Sequence, residues 1–346
     1  MFPSHTGRLR IAVVYNNCDS GTRDAPGDRA GMADLRKMIR HTVRVLRELG
    51  HAATVLPLQR SLLSFQRRLL RLRPDVVFNQ YDDVVPGAVH EMDVAALIRL
   101  LGFPMTGCPP LALGLCRDKY ATAQLLRGAG VRIPADTCLL ARASDAGQHA
   151  WQFPLIVQPN QEHGGAGLDR ASIVTSVRAL QARTARIVRM YRQPALVRRY
   201  LPGREFSVGI LGGQRLHVLP LAEVDYAALP RGIPPIMSYA AKWLENSADY
   251  RKTSDVCPAQ VAPSLADEIR DAALRAFRAL GGWGYGRVDI RLEESGRPAV
   301  LDVNCNPCLE EGVGLARNAQ RAGIAFPRLL QIILAVALEE PPSDPS

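Results

Sequence analysis

The residues with the clearest chemical potential are two short apolar runs that carry acids, Arg287-Val288-Asp289 and Leu301-Asp302-Val303-Asn304-Cys305-Asn306-Pro307. In a strand, residues i and i+2 point to the same face. Arg287 and Asp289 therefore share a face, and so do Asp302, Asn304 and Asn306, while Leu301 and Val303 turn to a core. If the two strands pair, Asp289, Asp302 and Asn304 converge into a hard, oxygen-only donor set suited to Mg2+ on phosphate. Arg287 then adds a fixed cation beside it. The same alternation also describes the solvated face of an edge strand. Three polar residues alternating within one apolar strand favour the site.

Two further stretches could handle phosphate or a base. Gln161-Glu162-His163-Gly164-Gly165-Ala166-Gly167 follows the apolar run Leu155-Ile156-Val157. Its glycines let backbone N–H groups approach an anion closely. It matches neither the Walker pattern nor GxGxxG, and such turns often merely join strands. Leu196 to Phe206 leaves one strand, turns at Pro202-Gly203 and enters another. Its backbone could meet an adenine edge and Glu205 ribose hydroxyls; an interdomain linker explains these residues equally well.

Only four of the 43 basic residues are lysines: Lys37, Lys119, Lys242 and Lys252. The rest are arginines spread along the chain, which reads as coding bias more than function. The net charge of +10 is not gathered in one tract, and no aromatic-rich RNA motif occurs, so nucleic acid is not an expected partner. Seven cysteines form no regular framework, which points to a reducing compartment. Cys305 and Cys308 make one CxxC without the second pair that zinc needs and without the strand–helix setting of a redox motif. With 47% apolar and 22% charged residues the chain is globular, and its longest apolar run is too short for a bilayer. The first residues lack the apolar core of a signal peptide. A cytoplasmic protein without membrane association is expected.

These groups need positioning elements. Arg10–Tyr15, Ala53–Leu56 and Asp75–Asn79 read as strands, alternating with helices over Ala30–Leu49, Ser61–Leu72 and Gly87–Leu101. This alternation predicts a parallel sheet with ligands near the strand C-termini, at Asn16, Asn79 and Gln80. A second unit carries a helix over Arg117–Gly128, a strand at Pro154–Gln158, a helix near Ser176–Arg183 and a strand at Ala195–Tyr200. A third holds the strands VGIL, LHVLPLAEV, RVDIRL and AVLDVN, with helices at Ser264–Leu280 and Phe326–Leu338. The tail PPSDPS is expected to be disordered.

In order and spacing the chain resembles the D-alanine–D-alanine ligases and their relatives in the ATP-grasp superfamily, from about Ile11 to Leu334. The matching motifs are His90-Glu91, Gly102 to Pro110 (GFPMTGCPP), Asp118 to Pro134, Gly203 to Gly212 (GREFSVGILG), Ala240 to Trp243 (AAKW), Cys257 to Ala259, Gly284 to Leu292 (GYGRVDIRL) and Leu301 to Pro307. The resemblance implies an α/β fold: a Rossmann-like domain over 1–110, a central ATP-grasp lobe over 111–205, a C-terminal lobe over 206–340 with the metal and catalytic residues, and a tail at 341–346. It also implies a reaction. A carboxylate takes the γ-phosphate of ATP to become an acylphosphate, and an amine then displaces phosphate to form an amide, with two Mg2+ ions as cofactors. Small carboxylate and amine substrates, and a homodimer, follow from the same resemblance.

By position, Asp289, Asp302 and Asn304 resemble the metal ligands, Asp302 standing where the family usually has Glu. Arg287 resembles the cation that steadies the tetrahedral oxyanion, and Lys242 the mobile-loop lysine over the γ-phosphate. Lys119 resembles a phosphate lysine and Glu205 the ribose ligand. Glu162, Gly164, Gly165, Arg198, Arg199 and Leu201 fall in the nucleotide-binding stretches, and Glu91 on the substrate side.

The departures are as informative. Gln158 stands where the family carries a phosphate-holding lysine, and an amide donates a hydrogen bond without charge. Arg198 and Arg199 replace an acidic residue and a lysine at the adenine hinge, and one of them could compensate. Gly164 and Trp243 replace a serine and a tyrosine that help to hold the first amino acid in D-alanine ligases. The first loop offers Asp19 and Asp24 in an unfamiliar setting. Cys308 replaces a glycine, and Glu310 and Glu311 occupy a region where a serine is expected, solvated or else holding an amine. The expected activity is an ADP-forming carboxylate–amine ligase of specialised metabolism whose product is not D-Ala-D-Ala. A nucleotide-binding protein impaired through Gln158, or an enzyme activating a non-carboxylate group, are the alternatives.

Overall fold

The computed structural model describes residues 2, 7–17, 26–59, 61–82, 90–162, 164–230 and 232–339, with only the backbone of 26–34. Asp19, Asp24, His163, the start of the helix expected from Gly87 and the tail 341–346 lie outside these residues.

The first part alternates as its patterning demands: β1 (Arg10–Asn16), α1 (Pro26–Glu48), β2 (Ala52–Leu58), α2 (Leu62–Leu72), β3 (Val76–Gln80) and α3 (Glu91–Leu100). The strands form a parallel sheet in the order β2-β1-β3. Both faces are buried, which is why these strands are almost continuously apolar. Ala12, Val14 and Val77 pack with Phe65, Leu69, Val94 and Ile98 on one side. Ile11, Val13, Val76 and Phe78 pack with Met38, Ile39 and Val43 on the other.

Next come α4 (Pro110–Arg117), α5 (Lys119–Gly128), β4 (Cys138–Leu140), β5 (Leu155–Pro159), β6 (Ile173–Val174), α6 (Val177–Tyr191) and β7 (Ala195–Arg199). The helix expected over Arg117–Gly128 is α5, which begins two residues later because α4 ends at Arg117 and Asp118 separates the two. There the Asp118 carboxylate accepts the Ala121 N–H at 2.8 Å, an N-cap that starts a new helix. α6 also runs beyond the expected Arg183, to Tyr191. The antiparallel sheet β4-β7-β5-β6 turns Leu155, Val157, Ala195 and Val197 into one core with Leu180 and Ile187 of α6. By alternation, Ile156, Gln158, Leu196 and Arg198 face the other way.

The last part contains β8 (Glu205–Gly212), β9 (Leu216–Val218), β10 (Ala222–Asp225), α7 (Tyr239–Trp243), α8 (Ala248–Arg251), β11 (Ser254–Val256), α9 (Pro263–Ala279), β12 (Gly284–Leu292), β13 (Pro298–Asn304), α10 (Gly314–Arg321) and α11 (Phe326–Ala337). The strand expected over LHVLPLAEV is broken around Pro220, whose missing N–H cannot join a ladder. The sheet runs β11-β10-β8-β12-β13, with β9 also paired to β8. α9 covers one face: Ile269, Ala273 and Phe277 pack with Phe206, Val208, Val288 and Val303. Gly286 permits this close approach, since a Cβ there would stand 2.2 Å from the Phe277 ring. With one face closed by apolar contacts, the polar residues of β8, β12 and β13 all emerge on the other.

Candidate active site

Register brings the acids together. β12 and β13 are antiparallel, with Asp289 opposite Asp302 and Arg287 opposite Asn304. β8 lies on the other side of β12 and places Glu205 opposite Arg291, Ser207 opposite Asp289 and Gly209 opposite Arg287. A bulge follows Asp289, where the register shifts and Leu301 is passed over. Leu301 is therefore half-buried at the bulge, outside the core cluster expected to hold it, whereas Val303 is fully in the core.

Arg287 grips Asp289 with two parallel bonds, Nε to Oδ1 at 2.8 Å and Nη2 to Oδ2 at 2.9 Å. That carboxylate holds the Arg287 guanidinium above its usual value against burial. The Asp302 carboxylate makes no hydrogen bond among the described residues, and Asn304 Oδ1 accepts the Asn306 N–H at 2.9 Å. Carboxylates directly opposite on paired strands repel. With Asp289 taken by Arg287, the unpaired Asp302 and the amide of Asn304 are an oxygen-only donor set that fits a divalent hard cation.

Cations surround Asp302. Lys119, Gln158, Arg198 and Glu205 are each at most 8% exposed. Burial pulls the Lys119 ammonium below its ordinary value, with Asp302 opposing and Arg198 adding to the shift. Lys119 Nζ donates to the Glu162 carbonyl at 2.5 Å. Burial pulls Arg198 down as well, again opposed by Asp302. Lys242 is pulled down by burial and then by Arg287, with Asp289, Asp302 and Glu205 opposing. Lys119, Arg198 and Lys242 have no carboxylate ion pair among the described residues. Burying charge without a partner is expensive. The arrangement is built for an anion.

Glu205 is pushed above the usual carboxylate range by burial, despite Arg291. Tyr226 Oη donates to its Oε2 at 2.8 Å, and Arg291 Nη1 stands 3.3 Å from the same oxygen. Oε1 is left for another donor. Leu201 is buried at the end of β7. Arg199 is not brought to this cluster: it pairs with Asp136 at 2.7 Å and with Gln152 at 2.5 Å.

The loop and lid residues meet each other. Trp243 Nε1 donates to the Gly164 carbonyl at 2.8 Å, although the ring is 52% exposed. Gly164 and Gly165 adopt positive φ, and a Cβ on Gly164 would stand 3.3 Å from the indole nitrogen. The Tyr239 N–H donates to the Leu168 carbonyl at 3.2 Å. α7 thus rests on the Gly-rich loop with Lys242 turned inward.

The substrate-side residues disperse. Glu311 bonds His41 of α1 at 2.8 Å, and His41 in turn meets Arg44. Glu310 is exposed. Cys308 is exposed, its sulfur stands 3.2 Å from that of Met38, and its thiol is pushed up to about 11, first by desolvation and then by Glu310. Glu91 opens α3 and is half-buried. The residues of the CxxC face apart: Cys305 stands against Cys116, 3.0 Å between sulfurs, in the core.

A link between sheets had no signature in any single motif. Tyr285 Oη donates to Asn306 Oδ1 at 3.0 Å, and Asn306 Nδ2 donates to the Tyr81 carbonyl at 2.7 Å. This hangs the loop after β13 on the end of β3. The expected strand-end residues are there too: Asn79 Oδ1 accepts the Tyr81 N–H, and Asn16 Nδ2 donates to the Asp82 carbonyl. Both stabilise that turn.

Two sheets whose polar faces share buried charges, beside a parallel α/β unit, define an ATP-grasp architecture. Residues 135–335 match the family model described as D-ala D-ala ligase C-terminus. The chain is 32% identical over 344 residues to the uncharacterized protein y4sG of Sinorhizobium fredii, covering 95% of this chain and 97% of that one. It is 30% identical to a D-alanine–D-alanine ligase of Bordetella petrii, over 69% of this chain and 70% of that one. The solved D-alanine–D-alanine ligase of Bacillus anthracis complexed with ATP shares the fold, with a TM-score of 0.70 at 20% identity over 95% and 97% of the two chains. The chain belongs to the D-alanine–D-alanine ligase family of ATP-grasp proteins. Among the described residues, no helix is long and apolar enough to cross a membrane.

Proposed function

We propose that the chain is an ATP-dependent ligase that joins a carboxylate to an amine and releases ADP and phosphate. The observation that carries this is a group of cations without a carboxylate ion pair among the described residues, the buried Lys119 and Arg198 and the half-buried Lys242, gathered about Asp302. A polyphosphate neutralises that group, and family membership names the nucleotide. In this reading the units are 1–110, 111–205 and 206–340, and the nucleotide lies between the sheets of the last two.

Lys119 and Lys242 bind phosphate oxygens, the second from the lid that Trp243 latches to Gly164. The free Oε1 of Glu205 accepts a ribose hydroxyl, and the backbone near Leu201 meets the base. Asp302 and Asn304, with Asp289 shared by Arg287, would hold Mg2+, which when bound neutralises charge on the transferring phosphate. The substrate carboxylate attacks the γ-phosphate and forms an acylphosphate. The amine then adds to the acyl carbon and phosphate leaves. Arg287, fixed by Asp289, stabilises the negative oxygen of that adduct. Catalysis here is positioning and charge stabilisation on a preorganised scaffold.

The substrate pair differs from two D-alanines in this reading. A latch made by Trp243 and Gly164 presents no hydroxyl to an amino acid, and Cys308 adds bulk where a glycine would leave room. The test is calorimetry with Mg-ATP, followed by a screen of carboxylate–amine pairs for ADP release. Magnesium-dependent binding and pair-dependent ADP formation are expected. Absence of nucleotide binding, or D-alanine as the best substrate on both sides, would overturn the corresponding part.

A further inference from the structure

Arg198 is 6% exposed, charged, and lies on the cleft face of β7. Its Nη1 donates to the Leu301 carbonyl at 2.5 Å and its Nη2 to Gln158 Oε1 at 3.1 Å. Its Nε is buried with no partner among the described residues. A guanidinium normally reaches such depth with a carboxylate in its fork. Here the fork is held by neutral oxygens only, and one N–H is unused.

The register explains how the side chain gets there. On the antiparallel pair, Gln158 lies opposite Leu196 and Ile156 opposite Arg198, so Gln158 and Arg198 are diagonal neighbours on one face. A long side chain spans that diagonal. The guanidinium thus stands against the amide at 158, where the family resembled carries a lysine. Arg198 is close enough to press on Lys119 with like charge, and Asp302 is the carboxylate that opposes burial at both cations. Like charges held together in a buried place call for an anion larger than one carboxylate.

Resting on the nucleotide reading above, we propose that Arg198 supplies from β7 the phosphate-binding charge that position 158 lacks, and that Gln158 is the acceptor that orients it. The cation has moved one strand over within the same cleft. Because Nη1 also holds the carbonyl just before Asp302, Arg198 ties this phosphate seat to the bulge that presents Asp302. Gln158 is then a fitted partner of Arg198, and a lysine at 158 would press an ammonium against the guanidinium.

The experiment is nucleotide binding to the full chain, with ATP and adenosine as probes and a melting curve for each variant. Arg198→Met is expected to weaken ATP binding about 10-fold or more, the loss of a charged hydrogen bond, and to leave adenosine within about two-fold. Gln158→Lys is expected to weaken ATP binding in the unmodified chain and to strengthen it in the Arg198→Met background. An effect of Gln158→Lys that has the same sign in both backgrounds overturns the proposal. So does wild-type ATP affinity in Arg198→Met, or an equal loss of adenosine. If Arg198→Met melts below the assay temperature, the double variant decides. It keeps one cation in the same space and is expected to bind ATP within about five-fold of the unmodified chain; adenosine-level affinity for ATP overturns the proposal. An unmodified chain that binds no Mg-ATP overturns the nucleotide reading together with this inference. A chain that binds ATP but ignores Arg198→Met overturns this inference alone.

Discussion

In the proposed reading, the phosphate end and the substrate end of the cleft are built differently. At the phosphate end, Arg287, Asp289, Asp302, Asn304, Glu205 and Arg198 stand on paired strands. Each points where alternation and register send it, because the opposite faces are locked into apolar cores. At the substrate end, Cys308, Glu310 and Glu311 follow the last strand in a loop, and Trp243 ends a five-residue helix. Their directions are chosen by contacts far away in sequence: Met38 for Cys308, His41 for Glu311 and the Gly164 carbonyl for Trp243. Charge on a locked strand is held to one task. Charge on a loop takes whatever partner the neighbouring element offers.

That contrast sets a scale of expected effects. The largest belongs to Asp302→Ala, which is expected to reduce Mg-dependent ADP formation by about 100-fold or more with little change in melting temperature, since a preorganised charge is lost and no core contact. Steady-state assay beside a melting curve reads both, and unchanged turnover would dissolve the contrast at its strongest point. Lys242→Met is expected next, with turnover down by about 10- to 100-fold and nucleotide affinity changed less, because the lid residue acts mainly on the transferring phosphate.

A pH effect of intermediate size separates the ends further. Lys119 and Lys242 sit below the ordinary 10.5 in the nucleotide-free protein, chiefly through burial. Between the lowered and ordinary values the unfolded chain binds more protons, so the stability of the free protein rises with pH across that window. Nucleotide binding needs the ammonium forms and moves the opposite way. Affinity is expected to fall on the alkaline side before free lysine titrates, with proton uptake on binding. Calorimetry in two buffers of different ionisation heat measures that uptake, and its absence would remove these lysines from the phosphate site.

The substrate end is expected to respond weakly. Trp243→Phe keeps most of the packing but loses the N–H to Gly164, and a rise in nucleotide KM of about three-fold is expected from one hydrogen bond at an exposed site. Glu311→Gln breaks an exposed pair with His41 and is expected to change activity by less than about two-fold. A loss above about 10-fold would show that Glu311 leaves His41 to hold substrate, and would erase the difference between loop and strands.

The motifs of β12 and β13 are legible in sequence because a period of two residues needs no knowledge of the rest of the chain. The parallel unit is legible for a similar reason, since strands buried on both faces are apolar throughout. Short-range signals failed where a proline interrupts a pattern, at Pro220. They failed again at Leu301, where one extra residue in the ladder takes a side chain out of the core.

By itself the amino-acid order determined the alternating elements, the face on which Asp289, Asp302 and Asn304 stand, and the vacancy of charge at Gln158. These follow from backbone periodicity and side-chain chemistry, which are local. Only the tertiary structure decided that Arg198 and not Arg199 enters the cleft, that Glu311 turns to His41, and that Asn306 ties β13 to the end of β3. These depend on which strands are neighbours and on which buried group lacks a partner. Pairing between residues remote in sequence is settled when the whole core closes.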